Sequence, residues 1–348
     1  MNSFITFIVL ILCLWIGRSL LVPILFAAFL WYLLNAISTY YRKIMPCYKS
    51  DKKSCNKTSK IYNWVSGILS FITIGGIIFL FATQIKPMFW ELYNATPLLQ
   101  QKLLTFSEYI STKIGISLDL NLIPNLPQIA TYVASSLAGI ATSTGMVIIY
   151  LIFMFIEQSA FNKKIDMLST QKLKTKKLRY ILNSIDEHMK KYLFTKTFIS
   201  TATGVFAYIA LKIIGLEFAS VWAFMIFILN YIPTLGSILA CAMPIAYAFI
   251  SGDTWHLPIF TAASLVAIEI VFGNILDPKL TGKTLNISTL AILINLIFWG
   301  MIWGIAGMFF SVPILAAIYI TTAQFDSTRW IAILLSADGN IPDETTSD

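Results

Sequence analysis

The chain has 348 residues, of which 57% are hydrophobic and only 12% are charged, against roughly 25% charged residues in soluble domains. Because the apolar residues lie in long blocks separated by short charged stretches, the sequence predicts a polytopic α-helical membrane protein and argues against a soluble domain. The net charge of +8 comes from lysine-rich stretches without a recognisable nucleic-acid-binding fold, so nucleic acid is not an expected partner.

The N-terminal part of the chain opens with an apolar block, residues 4–37, that is interrupted at Pro23. Two closely coupled membrane spans fit this block best. A third span is expected at residues 62–85, which is long enough to cross a hydrocarbon layer of ~30 Å at about 1.5 Å per residue. With the basic loop at residues 40–60, these spans form a predicted N-terminal membrane region, residues 1–85.

The following segment, residues 86–138, is polar enough to leave the membrane and has as many acids as lysines. Its apolar residues recur at intervals of four, three, four and four, which is typical of one face of an amphipathic helix: Leu99, Leu103, Phe106, Ile110 and Ile114. A fourth span is expected after it, at residues 139–156.

A second basic stretch, residues 157–196, also has a helical period in its apolar residues: Leu178, Ile181, Leu182, Ile185, Met189, Tyr192 and Leu193. The pattern indicates a helix packed beneath the membrane domain, and contact with anionic lipid or another subunit is the alternative. Since the spans alone need not cover either amphipathic stripe, we expect a homo-oligomer.

The distribution of lysine and arginine sets the orientation of the chain. Both basic stretches lie in short loops beside apolar segments, where the positive-inside rule places them in the cytoplasm. Residues 86–138 then lie outside, and both termini lie inside, including the acidic tail at residues 322–348.

The C-terminal transport core, residues 197–321, combines two spans with two interrupted blocks. The spans are expected at residues 197–214 and 257–276, and the interrupted blocks at 218–251 and 287–321. Each half of the first block is shorter than the ~20 residues of a full crossing, so a re-entrant hairpin is the economical interpretation. The predicted fold is therefore all-α, with about six full spans and two re-entrant or broken helical hairpins, an arrangement found in many secondary transporters.

The first interruption contains the residues best suited to line a solute path. Irregular backbone is tolerated at membrane depth only where it is buried in protein or lines a water-filled cavity. Pro233 frees a carbonyl group and Gly236 permits a turn, while Asn230, Thr234 and Ser237 supply neutral donors and acceptors. A simple packing kink is the alternative.

Two further groups of residues complete the predicted path. Glu269 is the deepest acid of its span, and intramembrane carboxylates indicate an ion, proton or substrate site by default. Its alternative is a carboxylate hydrogen-bonded at a helix interface. The other members lie at the end of this span, just after it, or in the second interrupted block: Asn274, Asp277, Pro278, Gly304, Gly307 and Pro313. With two histidines and four dispersed cysteines, no metal or cofactor is expected.

Three stretches of the C-terminal half resemble the autoinducer-2 exporter family of bacterial membrane proteins: residues 230–237 (NYIPTLGS), residues 273–283 (GNILDPKLTGK), and residues 304–308 (GIAGM) with 311–314 (SVPI). The layout of the rest of the chain agrees with this resemblance. It implies a multi-pass transporter of the bacterial inner membrane, oligomeric, with substrates ranging from the quorum signal autoinducer-2 to sodium ions and protons.

Several functions fit these features. The first is export, or facilitated passage, of a small hydrophilic signal. The second is a cation/proton antiporter in which Glu269 titrates. An intramembrane enzyme lacks its usual motifs in this sequence, and a structural scaffold would have no use for two broken hairpins.

Overall fold

The computed structural model describes residues 2–44, 65–73, 144–158, 172–251, 255–281 and 286–341, with scattered positions at 75–112 and 160–167. These residues are helical apart from turns, short extended stretches and one isolated β-bridge. The predicted all-α, polytopic membrane fold is confirmed. The apolar stripe predicted at 99–114 and most of the basic loop at 40–60 lie outside the described residues.

The helices follow one another in a simple order. In chain order they are α1 (Asn2–Ile16), α2 (Arg18–Ile44), α3 (residues 65–73), α4 (Thr144–Gln158), α5 (Lys172–Ile214), α6 (Ala219–Leu229), α7 (Leu235–Ser251), α8 (His256–Glu269), a π-helix (Ile270–Leu276), α9 (Asp277–Thr281), α10 (Thr289–Ala323) and α11 (Arg329–Leu335). Non-helical dihedral angles at Gly304 divide α10 into two arms, α10a (Thr289–Trp303) and α10b (Ile305–Ala323).

Four helical stretches among the described residues are long and apolar enough to cross a membrane: Arg18–Tyr41, Leu178–Ile214, His256–Leu280 and Ile305–Ala323. The helices α4, α6, α7 and α10a are apolar but shorter. The 11 residues of α6 extend only about 16 Å, well short of the ~30 Å hydrocarbon layer.

The helix α5 runs for 43 residues without interruption. It joins the end of the predicted linker, residues 157–196, to the predicted span at 197–214. Within the linker part, Ile181, Met189 and Leu193 are buried, so the chain itself covers much of the predicted apolar stripe.

The chain divides into two compact units. Unit 1 comprises Met1–Thr73, Ser143–Lys196 and Leu280–Asp348, and unit 2 comprises Ile74–Thr142 and Thr197–Lys279. Unit 1 has a cluster of buried residues formed by α10b and α11, against which Ile185 of α5 packs. In unit 2, a larger core joins the C-terminal half of α5 to α6, α7 and α8.

The N-terminal helices of unit 1 pack on α10. Phe26 and Phe29 of α2 lie against Phe309 and Phe310, with ring centroids 5.0–6.4 Å apart. The indole nitrogen of Trp303 donates a hydrogen bond to the carbonyl of Leu14, at 3.0 Å. This carbonyl belongs to the last turn of α1, where helical acceptors lack a partner within the helix.

Candidate functional site

The first hairpin consists of α6 and α7, which are joined by a non-helical turn at residues 230–234. The ring of Tyr247, near the end of α7, lies 5.4 Å from Trp222 and 5.7 Å from Phe218, at the start of α6. The two arms are therefore antiparallel, and the turn forms the tip of the hairpin. We call residues 230–237 the first tip.

The first tip has strained backbone and neutral polar groups. Thr234 has a left-handed φ of 59°, which costs an ordinary residue about 1–2 kcal/mol. Strain of this kind is concentrated at functional sites. Ser237 donates a hydrogen bond to the carbonyl of Thr234, at 3.2 Å, and Pro233 is half-buried. Because α6 ends here and α7 begins, backbone acceptors of one helix and donors of the other face the same turn.

Gly236 allows the two arms to approach each other. A Cβ atom at this position would overlap the carbonyl oxygen of Leu229 and lie 2.9 Å from its carbonyl carbon. Any larger residue would thus force the end of α6 away from the start of α7. The role of this glycine is close packing, while the left-handed position of the turn belongs to Thr234.

Asn230 and Tyr231 anchor the first tip to α5. The side chain of Asn230 is 4% exposed and its amide donates a long hydrogen bond, 3.5 Å, to Thr203. The hydroxyl of Tyr231 donates to Thr197 at 2.9 Å. Sequence reasoning treated this part of α5 as an ordinary span and missed its hydroxyl groups, although three threonines and a serine within residues 197–203 were an available signal.

The second group of predicted residues lies where α8 changes into the π-helix. Glu269 is half-buried, and its carboxyl group covers Gly273, where a Cβ atom would lie 2.9 Å from the carboxyl carbon. Asn274, inside the π-helix, and Pro278 are exposed, while Asp277 is half-buried. Sequence patterns gave no sign of the π-helix, yet such segments are frequent at functional sites.

The second hairpin consists of α10a and α10b, and we call residues 304–307 the second tip. Gly304 has φ 63° and ψ −141°, a combination open only to glycine. Gly307 is buried, and a Cβ there would lie 2.6 Å from the carbonyl carbon of Trp299. Pro313 lies inside α10b. Each tip thus pairs a left-handed residue with a glycine packed on the opposite arm.

Asn295, which sequence reasoning did not select, links the arms of the second hairpin. Its amide donates to the carbonyl of Ser311 at 2.6 Å, and its oxygen accepts from the indole of Trp299 at 3.0 Å. Ser311 is fully buried and donates to Met308 at 2.7 Å. An asparagine within an apolar run of a membrane helix was the available signal, because such groups need a partner there.

The predicted path residues are divided between the two units. Five of them form the first tip, and Glu269, Asn274, Asp277 and Pro278 follow one another along α8, the π-helix and α9, all within unit 2. Gly304, Gly307 and Pro313 belong to unit 1. The convergence of the two tips on one path stays a prediction.

A groove of about 410 Å³ lies beside the second hairpin. Aliphatic and aromatic side chains of α10 and α11 form most of its wall, including Ile294, Phe298 and Leu334, with Asn295 among the few polar ones. Such a surface suits apolar groups and offers little to a hydrophilic solute.

Comparison with known proteins identifies the family of the chain. Residues 4–326 match the AI-2E family transporter model. The chain is 34% identical over 206 residues, 59% of either chain, to the AI-2 transport protein TqsA of Escherichia coli. It is 30% identical to a Haemophilus influenzae protein provisionally named a transport protein, over 79% of this chain and 82% of that one. A similarly named Bacillus subtilis protein, YueF, is 28% identical over 86% of this chain and 82% of its own length. The resemblance found in the sequence is thereby confirmed, and the chain belongs to the AI-2E family of transporters.

Proposed function

We propose that this transporter exports, or facilitates the passage of, a small hydrophilic signal of the autoinducer-2 kind through the bacterial inner membrane. The observation that carries the proposal is the neutral chemistry of the first tip. Its side-chain polar groups are one amide and the hydroxyls of Tyr231, Thr234 and Ser237, with no charged residue among residues 230–237. A neutral solute needs hydrogen-bonding partners without fixed charge.

The helix termini at the first tip support the same function. The first turn of α7 offers backbone N–H groups and the last turn of α6 offers carbonyl groups. Their partial charges favour a dipolar, hydroxyl-bearing solute. The relative TqsA is named as a transport protein for AI-2. The proposal assigns the chain no chemical reaction and no cofactor.

A cation/proton antiporter is the second candidate, and Glu269 favours it. This half-buried carboxyl group lies in the apolar stretch His256–Leu280, at the junction of α8 and the π-helix. Carboxyl groups in such stretches commonly bind ions or protons. Within the described part of this stretch the other acid is Asp277, near its end.

Substitution of Asn230 and Glu269 separates the two candidates. We expect Asn230→Leu to abolish uptake of labelled autoinducer-2 by proteoliposomes, because it removes the buried amide of the first tip. Glu269→Gln should leave this uptake within about twofold of the wild type, as should the control Glu187→Gln on the exposed surface of α5. Loss of transport in Glu269→Gln alone, with a pH-dependent rate in the wild type, would instead favour the antiporter.

The proposal includes a homo-oligomer, with both termini in the cytoplasm. Its support is the family membership and the charge distribution. Exclusively monomeric protein in both mild detergent and nanodiscs would contradict the oligomer.

A further inference from the structure

One face of α5 carries three hydroxyl groups beside the first tip: Thr197, Ser200 and Thr203. Each is three residues from the next, a step of about 60° around the helix, so Ser200 lies between the other two. Thr197 accepts a hydrogen bond from Tyr231, and Thr203 accepts one from Asn230. The outer members of this hydroxyl face are therefore bound to the first tip, and the middle one is placed between those contacts.

Ser200 differs from its neighbours in its hydrogen bonding. Thr201 and Thr203 donate to the carbonyl groups four residues earlier, at 2.7 and 2.8 Å, as hydroxyl groups in helices usually do. The hydroxyl of Ser200 has no partner among the described residues, although the residue is 0% exposed. An unsatisfied buried hydroxyl is unfavourable, so this one is a candidate for a ligand contact.

Two members of the hydroxyl face, Ser200 and Thr203, are buried where α5 packs closely on α6. A Cβ atom at Gly204 would lie 3.0 Å from Cβ of Phe227 and 3.2 Å from the carbonyl oxygen of Ala223. The helices are thus almost in backbone contact one turn beyond Ser200. A polar face closed off in this way fits an occluded binding position in a carrier that works by alternating access.

The chemistry of this face indicates the class of ligand. Hydroxyl groups and the amide of Asn230 both donate and accept hydrogen bonds, which suits the hydroxyls of an uncharged polyol. Lys196, one turn earlier on α5, is buried and has an interaction of its own, so no contact with the solute is assigned to it.

We propose that the hydroxyl of Ser200 binds a hydroxyl group of the transported solute while the solute is at the first tip. The inference rests on the proposed passage of a hydroxyl-bearing solute, but the solute need not be autoinducer-2. It makes Ser200 a binding residue that neither the sequence motifs nor the family membership single out.

The variant Ser200→Ala distinguishes a contact between Ser200 and the solute from a purely structural role of this residue. If Ser200 contacts the solute, KM for autoinducer-2 in proteoliposomes should rise about fivefold, the equivalent of one neutral hydrogen bond, with little change in kcat. The solute-free variant should still fold, and unfold at a higher temperature, because an unsatisfied hydroxyl is removed. A raised unfolding temperature with an unchanged KM would overturn the inference. Thr201→Ala, one residue along on the exposed side of α5, is the matched control.

Cysteine labelling tests the position of Ser200 without requiring a known substrate. In a background with the four native cysteines replaced by serine, Ser200→Cys should react with a small charged methanethiosulfonate in proteoliposomes and lose transport. Autoinducer-2 should slow the reaction. Absence of reaction, under conditions in which a cysteine at the exposed Ser111 reacts, would overturn the inference. If the wild type does not transport autoinducer-2, the proposed substrate is wrong and labelling alone decides the role of Ser200.

Discussion

Substitution of Gly236 by alanine tests whether the first hairpin depends on close contact between its arms. The new Cβ atom would lie 2.9 Å from the carbonyl carbon of Leu229 and from Cβ of Ile232, whereas ordinary contact begins at 3.4 Å. Because the Cβ atom would also overlap the carbonyl oxygen of Leu229, the arms must separate by more than about 0.5 Å at the tip, and overpacking of this kind costs about 1–3 kcal/mol. The upper half of this range applies, because the obstructing atoms include backbone that cannot rotate away.

Helix propensity works in the opposite direction but is too small to compensate. Alanine is more favourable than glycine within a helix by at most about 1 kcal/mol, so Gly236→Ala should remain destabilising by roughly 1–2 kcal/mol. Gly145 in α4 is the control, since a Cβ there meets nothing within 4 Å. Gly145→Ala should be neutral or stabilising.

The assay compares thermal unfolding in mild detergent with transport in proteoliposomes. We expect Gly236→Ala to unfold at a lower temperature than the wild type and to transport more slowly, because Asn230 and Thr234 move with the tip. Gly145→Ala should match the wild type in transport. A Gly236→Ala variant with wild-type unfolding temperature and transport would refute the view that the arms need this contact.

Two further predictions concern the C-terminal segment and the orientation of the chain. Asp338 accepts hydrogen bonds from Asn286 and Asn340, and the side-chain bond from Asn286 is the main cause that holds its pKa below the usual value. Since the folded-state pKa is lowered, the stabilisation is present above the ordinary Asp value of about 3.9 and is lost as the pH falls through the folded-state value. The difference in unfolding temperature between wild type and Asp338→Asn should therefore begin to shrink as the pH falls below about 4 and should vanish once the pH is below the folded-state pKa of Asp338. A difference that does not shrink as the pH is lowered through this range, or that appears equally in the exposed control Asp326→Asn, would contradict this role. The orientation can be tested with a cysteine introduced at Ser169, because the basic stretch around it is expected in the cytoplasm. This cysteine should resist an impermeant thiol reagent applied to intact cells and should react after lysis. Labelling in intact cells would overturn the predicted orientation.

The class of the fold could be predicted from the sequence because the bilayer imposes local rules. Long apolar blocks can satisfy their backbone polar groups in lipid only as helices. The all-α membrane fold could therefore be predicted from the sequence. The breaks in the two interrupted blocks could be predicted for the same reason. Pro233 lacks a backbone donor, and the turn at residues 230–234 lies where the sequence breaks the helix. In the second block, Gly304 has backbone dihedral angles that residues with a side chain rarely adopt.

Long-range packing decided the features that the sequence could not predict. The helix α5 continues through residues 196 and 197, where the sequence predicted a boundary between linker and span, and Ile181, Met189 and Leu193 in its linker part are buried. The pairing of Asn295 with the carbonyl of Ser311 joins residues on opposite arms. The π-helix adds a residue to a helical turn, and no local pattern in residues 270–276 specifies that change.

Some features of the candidate site could likewise be predicted from the sequence, and others depend on the tertiary structure. The sequence by itself determined which residues of the tips bring polar groups and irregular backbone into an apolar environment, because proline, glycine and asparagine have these properties wherever they occur. Only the tertiary structure decided that Gly236 serves close packing, that Thr234 takes the left-handed conformation, and that Ser200 is buried without a hydrogen bond. These properties come from the packing of the two arms of the hairpin on each other and of α5 against the first tip, which no local residue pattern specifies.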